Sequence, residues 1–309
     1  MDILINEPED FPQSAIALLE DLGRIYRSDL SYPKETIAAV FVRLRERIGE
    51  AFLAEHPSLR YVISPTTGLN HLDIDLLESA GVTVLSLKGK TEFLDNIHAT
   101  SELTLAITLG LLRNLRDAAN SVLAGEWNRK PYQGSEIFGK TVLIVGYGRL
   151  GRQAHRLFEA FGAKVIAAEV VAGKAPSAIS VSLPDGLAQA DIVSLHVNLD
   201  DNTEGFFGRS CIEAMKPGAV LINTARGELI DQAALFDKLI DGHIAGAALD
   251  VLWNEPQPIS EDVAAVMRSL GSRLLVTPHI GGLTWESLSA VEEYMARGFV
   301  DHVAANGTS

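Results

Sequence analysis

Residues 141–151 read TVLIVGYGRLG, an apolar run that leads directly into the pattern GxGxxG. Gly146 lets the chain turn tightly after a strand, Gly148 leaves room where backbone must approach a pyrophosphate, and Gly151 lets the next helix pack close to the strand. The free N–H groups and the dipole at the start of that helix favour negative phosphates. Since an apolar run precedes the motif and a helical pattern follows it, we predict a Rossmann unit that binds a dinucleotide.

The next predicted strand, residues 164–168, ends in Glu169. An acidic side chain at this position accepts hydrogen bonds from the adenine-ribose hydroxyls, and it would repel a 2′-phosphate. No Arg or Lys follows directly, and the nearest one is Lys174. We therefore predict NAD as the cofactor, in preference to NADP.

Short apolar runs alternate with helical patterns on both sides of the motif, which is typical of βαβ units with parallel sheets. The predicted strands are residues 3–5, 38–42, 61–64, 82–86, 141–145, 164–168, 191–196, 219–223, 244–250 and 274–277. Residues 97–116 are predicted as one long helix. A last helix over residues 285–304 has no strand of its own, so we expect it to pack back on the first domain.

The fold class predicted from this pattern is α/β, with two doubly wound parallel-sheet domains. The 309 residues are too many for one ordinary core. We place one domain at residues 1–97 plus 285–309, and the NAD-binding Rossmann domain at residues 98–284.

Composition limits the classes of partner and the compartment. The formal net charge of -14 disfavours nucleic acid and anionic membranes. A single cysteine, Cys211, permits no internal disulfide and fits a reducing compartment. The first residues resemble a strand more than a signal peptide, and polar residues interrupt the apolar helix over 97–115. We expect a cytoplasmic protein that neither spans a membrane nor binds nucleic acid.

Polar residues follow several strands of the second series, where ligands bind in an open parallel sheet. Reduction of a keto acid needs a cation for the carboxylate, a proton donor for the carbonyl oxygen and a partner that keeps the donor charged. Arg226 offers a bidentate cation, His279 an acid/base, and Glu255 a partner for its ring. Each alone has a structural alternative, such as a surface ion pair, a structural histidine or a solvated turn.

Three segments, taken in order after GxGxxG, resemble the D-isomer-specific 2-hydroxyacid dehydrogenase family. They are residues 215–227 (MKPGAVLINTARG), 246–256 (GAALDVLWNEP) and 277–282 (TPHIGG). The resemblance covers nearly the whole chain. It implies an NAD-dependent oxidoreductase that interconverts D-2-hydroxy acids and 2-keto acids, with a flavodoxin-like substrate domain beside the Rossmann cofactor domain. It also implies a homodimer that pairs through the apolar helix over residues 97–115.

The resemblance further implies roles for individual residues, none of which involves a metal. Arg226 would bind the substrate, Glu255 would pair with His279, and His279 would be the acid/base. The glycine loop at Thr67 and Gly68 would hold the substrate carboxylate, and Arg43 would contact the substrate. The implied cofactor contacts, besides the three glycines and Glu169, are Arg149, Leu150, Val197, Thr203, Thr224, Ala225, Asp250 and Gly281.

The sequence departs from the family pattern at a few positions. Asn198 stands where a proline is usual, and Thr66 and Thr67 replace an arginine-containing glycine loop found in some phosphoglycerate enzymes. The second departure disfavours a phosphorylated substrate, but the identity of the acid stays open. So does an alternative function, that of a corepressor-like interaction protein that senses NAD on the same fold.

Overall fold

The protein forms two compact units in a computed structural model that describes residues 1–171, 173–253, 255 and 257–306. Unit 1 comprises Met1–Ile97 and Leu283–Ser309, and unit 2 comprises His98–Gly282. The second crossing lies just before the predicted position at 284/285. Gly281 is hydrogen-bonded to Asp250 within unit 2, which keeps this part of the loop with the second sheet.

Unit 1 is a five-stranded parallel sheet with helices on both faces. Its strands are β1 (Asp2–Ile5), β2 (Arg24–Arg27), β3 (Ile37–Phe41), β4 (Tyr61–Ser64) and β5 (Thr83–Ser86). Its helices are α1 (Gln13–Glu20), α2 (Glu50–Glu55), α3 (Ile74–Ser79), α4 (Thr91–Leu94) and the C-terminal helix Trp285–Asn306. The strand order β2-β1-β3-β4-β5 is that of a flavodoxin-like sheet, as expected.

Two apolar layers enclose the central strands of this sheet. All five residues of β3 are buried, as in parallel strands that are covered on both faces. The C-terminal helix packs against α1, β4 and β5, so the chain end returns to unit 1 as predicted. Phe299 of this helix is fully buried in the layer that also contains Phe41.

Unit 2 contains a six-stranded parallel sheet. Its strands are β6 (Thr141–Val145), β7 (Lys164–Ala168), β8 (Ile192–Leu195), β9 (Val220–Asn223), β10 (Gly246–Leu249) and β11 (Leu274–Val276), in the order β11-β10-β9-β8-β6-β7. Beyond β7, Ser180 forms a single parallel bridge with Ala167. This bridge occupies the place of the third strand in the Rossmann order 3-2-1-4-5-6, so unit 2 is a Rossmann sheet whose outer strand is reduced to one residue pair.

Seven helices of the described chain surround this sheet. They are α5 (Ala99–Leu112), α6 (Leu115–Leu123), α7 (Arg149–Ala160), α8 (Leu183–Gln189), α9 (Arg209–Ala214), α10 (Gln232–Ile240) and α11 (Glu261–Leu270); the C-terminal helix of unit 1 is α12. On one face, α5 and α7 cover β6 and β10, and α8 to α11 cover the other face. None of the helices in this part of the chain has both the length and the apolar character that a membrane span requires.

The prediction of one helix over residues 97–116 is wrong, because the helix breaks at Asn114. This residue adopts a left-handed conformation with φ 52°, and its side-chain amide donates to the carbonyl of Gln133. The apolar pattern continues through the break, so periodicity alone did not reveal it. The break redirects the chain into α6, none of whose residues is buried within the chain.

The left-handed turn makes Asn114 sensitive to side-chain shape. Replacing Asn114 by glycine should change the free energy of unfolding little, because glycine tolerates positive φ. Replacing it by valine should destabilise the chain by about 1–2 kcal/mol, the usual cost of that conformation for an L-residue. Urea unfolding of both variants measures the difference. Both variants lose the bond to Gln133, so equal losses would assign the effect to that bond and not to backbone strain.

Candidate active site

The glycine turn after β6 has the geometry of a phosphate-binding loop. A Cβ atom on Gly151 would lie 2.1 Å from the carbonyl oxygen of Gly146, and one on Gly146 would lie 2.7 Å from that of His196. Gly148, in contrast, has no atom within 4 Å of its would-be Cβ, and it precedes α7 without a side-chain cap. Two glycines are therefore required by packing, and the third faces open space at a helix N-terminus, which suits a pyrophosphate.

Glu169 follows β7 and binds the turn from the side. Its carboxylate accepts hydrogen bonds from the backbone N–H of Tyr147 at 2.8 Å and of Val171 at 3.0 Å, and Lys174 Nζ lies 3.5 Å away. Burial would raise the pKa of Glu169, but these bonds and the lysine charge outweigh it and hold the pKa below its ordinary value. The carboxylate is therefore ionised, and its contact with the ribose of a cofactor stays a prediction.

The other predicted cofactor residues lie along the same edge of the sheet. Thr203 closes the turn after β8, where its hydroxyl donates to the carbonyl of Asn198 at 2.7 Å and accepts from the backbone of Asp200. The hydroxyl of Thr224, after β9, lies 2.8 Å from that of Thr104 on α5. Arg149 and Leu150 open α7, and Val197, Ala225, Asp250 and Gly281 follow strand ends. Their contacts with a cofactor stay predictions.

Asn223, at the end of β9, holds the turn that carries Arg226. Its side-chain oxygen accepts from the backbone N–H of Ala225 at 2.9 Å, and its amide donates to the carbonyl of Arg226 at 2.8 Å. This role was not evident from the sequence, although an Asx side chain that binds backbone two residues ahead is a known turn device. Arg226 itself donates to the carbonyl of Ala225 at 2.7 Å. Burial lowers the pKa of Arg226, and the charges of Glu255 and Glu228 oppose that shift.

Gly227 brings the segment with Glu255 next to the arginine. A Cβ atom on Gly227 would lie 2.1 Å from the carbonyl carbon of Leu252, so only glycine allows this close approach of two backbone segments. Asn254 and Pro256, which flank Glu255 in the recognised motif, lie outside the described residues. Glu255 is half-buried. Its negative charge acts on Arg226.

Asp250, directly after β10, anchors the loop that carries His279. Its carboxylate accepts from the hydroxyl of Thr277 at 2.6 Å and from the backbone N–H groups of Ile280 at 2.9 Å and Gly281 at 2.8 Å. The backbone N–H of His279 donates to the carbonyl of Asp250 at 2.8 Å. These bonds hold His279 at φ 53°, a conformation that is strained for a residue with a side chain and is often found at functional sites.

This loop brings His279 and Glu255 together. Nδ1 of His279 lies 2.6 Å from a carboxylate oxygen of Glu255, and each side chain is 26% exposed. His196, the other histidine at this sheet edge, differs in environment. Burial lowers its pKa to about 4, and its ring lies 2.9 Å from the Ser194 hydroxyl, so it stays uncharged near neutrality. Of these two histidines, His279 is therefore the one that combines a carboxylate partner with an accessible ring.

In unit 1, the predicted substrate residues lie at the carboxyl edge of its own sheet. The loop after β4 carries Thr67 and Gly68, and a chain of polar contacts from His71 through Ser64 to Thr66 ends on the carbonyl of Gly68. Thr67 is exposed, as a substrate contact must be. Arg43 follows β3 and forms an ion pair with the buried Glu292, a partner that the sequence did not suggest.

Comparison with known proteins identifies the family. Residues 105–281 match the model of the NAD binding domain of the D-isomer specific 2-hydroxyacid dehydrogenases. The chain belongs to this family. Unit 2 is therefore its NAD-binding domain, as the glycine turn and the open N-terminus of α7 predicted.

The chain is similar in sequence to several curated proteins. It is 34% identical over 288 residues to D-3-phosphoglycerate dehydrogenase of Mycobacterium leprae, covering 89% of this chain but 52% of that protein. It is also 34% identical over 275 residues to (S)-sulfolactate dehydrogenase of Chromohalobacter salexigens, covering 87% of this chain and 84% of that protein. The chain thus spans about half the length of the phosphoglycerate enzymes that it matches.

The fold is also found in solved structures. The pyruvate reductase of Chlamydomonas reinhardtii superposes with a TM-score of 0.84 and 26% identity, over 98% of this chain and 96% of that one. The chain therefore shares the two-domain α/β architecture of that structure.

The Asp250 anchor predicts a specific effect of an isosteric change. In Asp250→Asn, one carboxylate oxygen is replaced by an NH2 group, which cannot accept the hydrogen bond from the N–H donor that faces it. The free energy of unfolding should therefore fall by about 1–3 kcal/mol. Urea unfolding measures this loss, with the exposed Asp262→Asn in the same unit as the control for charge. If Asp250→Asn is as stable as the control, the carboxylate does not anchor the loop.

Proposed function

We propose that the chain is an NAD-dependent oxidoreductase that interconverts a D-2-hydroxy acid and its 2-keto acid. The observation that carries this proposal is the contact between His279 and Glu255, at the same sheet edge as Arg226 and the glycine turn. A histidine that pairs with a carboxylate and remains accessible is suited to proton exchange. A half-buried arginine at the same sheet edge is suited to a small carboxylate substrate.

In the reduction direction, bound NADH supplies the hydride that is delivered to C2 of the keto acid. Arg226 binds the carboxylate and orients the carbonyl through its planar guanidinium. Glu255 accepts from Nδ1 of His279, so that the opposite nitrogen, Nε2, carries the proton toward the carbonyl oxygen. The negative charge of Glu255 favours the protonated ring that this transfer needs.

The remaining substrate contacts are proposed from the family resemblance and from their positions in unit 1. Backbone N–H groups at Thr67 and Gly68 bind the substrate carboxylate, and Arg43 contacts the rest of the molecule. The exposure of Thr67 and the position of Arg43 at the end of β3 support these roles. The D configuration follows from the family to which the chain belongs.

Removal of the histidine tests the assigned chemistry. His279→Ala should lower kcat for reduction of a 2-keto acid roughly 10²–10⁴-fold, the usual contribution of a positioned acid/base. Its affinity for NADH, measured by fluorescence titration, should change little. Glu255→Gln should keep a ring partner but lose the charge, so the alkaline limb of the reduction pH profile should move to lower pH.

The exposed His98→Ala in the same unit is the matched control and should behave like the parent chain. Near-normal kcat in His279→Ala would mean that the proton comes from another group, and the assignment would have to be withdrawn. Binding of NADH without turnover of any 2-keto acid would instead favour an NAD-sensing interaction protein.

We infer that the chain forms a homodimer, through a surface that extends beyond the helix suggested by the sequence. The apolar residues of α5 are largely packed within unit 2, with Ile107 and Leu111 buried. The exposed apolar side chains lie instead on α6 and just after it: Leu115, Val122, Leu123 and Trp127. Exposed apolar groups that lie close together in the chain in this way are typical of an interface, and a second copy is the simplest partner.

We further propose a cytoplasmic location, since the single cysteine, Cys211, forms no disulfide within the chain and fits a reducing compartment.

Light scattering tests the homodimer. The chain should have twice its 33.3 kDa mass at micromolar concentration. Leu123→Glu combined with Trp127→Glu should reduce that mass to the monomer. Leu30→Glu, which charges a comparably exposed leucine of unit 1, is the control and should remain a dimer. A monomeric parent chain would contradict the inference.

A further inference from the structure

A buried ion pair lies at the carboxyl edge of the unit 1 sheet. In the order β2-β1-β3-β4-β5, the connections leave β1 in opposite directions, and ligands of such sheets bind beyond the strand ends at this switch point between β1 and β3. Glu7 follows β1 here and Arg43 follows β3. The side chains at this point are therefore placed to face a ligand of unit 1.

The guanidinium of Arg43 is already bound to acidic and carbonyl groups. Its Nε donates to a carboxylate oxygen of Glu292 at 2.7 Å, and its Nη1 donates to the carbonyl of Glu9 at 3.2 Å. Glu7 accepts from the backbone N–H groups of Arg43 and Arg45, so a second carboxylate lies beside the same turn. The second oxygen of Glu292 and Nη2 of Arg43 are buried and have no hydrogen-bond partner among the described residues.

Glu292 is 1% exposed and comes from α12, far along the chain from Arg43. Burial raises the pKa of Glu292 to about 7; the charge of Arg43 opposes the shift and that of Glu7 adds to it. At pH 8 the carboxylate is mostly ionised. Arg43 then carries one positive charge against two neighbouring carboxylates, so this edge offers no net positive charge to a second anionic group on a substrate.

We propose that Glu292 is a specificity-determining residue that neutralises Arg43, so that the chain selects 2-keto acids whose side chain is uncharged over those that carry a phosphate or sulfonate. The proposal rests on the proposed function and on Arg43 as a substrate contact. Removing one unit charge about 6 Å from a bound anion, at an effective dielectric near 20 or somewhat higher, changes a binding constant by roughly tenfold or more. Most of the curated relatives, among them D-3-phosphoglycerate dehydrogenases and (S)-sulfolactate dehydrogenase, are named for acids with a second anionic group, so the proposal sets this chain apart from them.

Steady-state kinetics at pH 8 with saturating NADH tests the proposal. The substrates are hydroxypyruvate, 3-phosphohydroxypyruvate and 3-sulfopyruvate, which share the keto acid and differ at C3. For the parent chain, KM should be at least about tenfold higher for the two charged acids. In Glu292→Gln, KM for the charged acids should fall about tenfold, while the values for hydroxypyruvate stay within about twofold.

Two further variants separate the specific effect from a general one. Adding Arg43→Gln to Glu292→Gln should abolish the gain, because no free guanidinium remains. Glu286→Gln removes the same charge from an exposed position of the same helix, and it should leave KM unchanged for all three acids. Thermal melts of all the variants show whether each one is folded.

A pH series on the parent chain gives evidence that does not depend on any variant. The sulfonate keeps its charge between pH 6 and pH 8, whereas Glu292 takes up a proton as the pH falls through about 7. Arg43 and Glu7 are the charged groups that act on it. The ratio of KM for 3-sulfopyruvate to KM for hydroxypyruvate should therefore fall from pH 8 to pH 6, since titration of the shared acid/base cancels in the ratio.

The outcomes are distinct. Equal or better use of the charged acids by the parent chain would overturn the proposal, as would a folded Glu292→Gln with an unchanged ratio. If Glu292→Gln does not fold, two measurements on the parent chain test the proposal: the comparison of KM among the three acids, and the pH series. Failure of the parent chain to reduce any 2-keto acid would remove the proposed function itself, and the selectivity proposal with it.

Discussion

The candidate site depends above all on the Asp250 carboxylate. It accepts three hydrogen bonds from the loop after β11, and its own carbonyl accepts a fourth from the backbone of His279. A buried carboxylate needs such donors, and the loop needs a fixed anchor to hold a histidine at positive φ. Because one residue meets both needs, the end of β10 determines where His279, the proposed acid/base, lies. The position of His279 in turn determines that Nδ1 of its ring, and not Nε2, faces Glu255.

The same principle operates along the rest of the sheet edge in unit 2. Several turns beyond strands are held by a side chain or by a glycine that no other residue could replace without a clash. Asn223 holds the turn with Arg226, Gly227 admits the segment with Glu255, and Gly151 packs against the backbone of Gly146. The reactive groups are thus carried on loops, but the loops are fixed by the rigid strand ends. This rigidity is what hydride and proton transfer require, since both depend on sub-ångström placement.

Much of this could be predicted from the sequence, for identifiable reasons. Parallel strands buried on both faces are continuous apolar runs, so the strands of unit 2 and the α/β class were evident. The edge strand β2, with the sequence RIYR, was missed because its exposed arginines break the apolar pattern. The break at Asn114 was missed because a single left-handed residue leaves the periodicity of its neighbours intact. Motifs identified Arg226, Glu255 and His279 as candidate site residues, but they could not show which neighbouring groups fix the positions of these residues. Glu292 could not be recognised as a functional residue from the sequence. A glutamate in a helical pattern is expected to be solvated, and only the folded structure shows that its partner is Arg43.

The most direct test of the account follows the transferred atom. NADH that carries deuterium at both C4 positions is mixed with a 2-keto acid that the chain reduces, and the product is examined by mass spectrometry and chiral chromatography. If the hydride is transferred directly, the product is a 2-hydroxy acid of D configuration that carries one deuterium at C2. A product without deuterium at C2, or one of L configuration, would contradict direct hydride transfer in a site of this family.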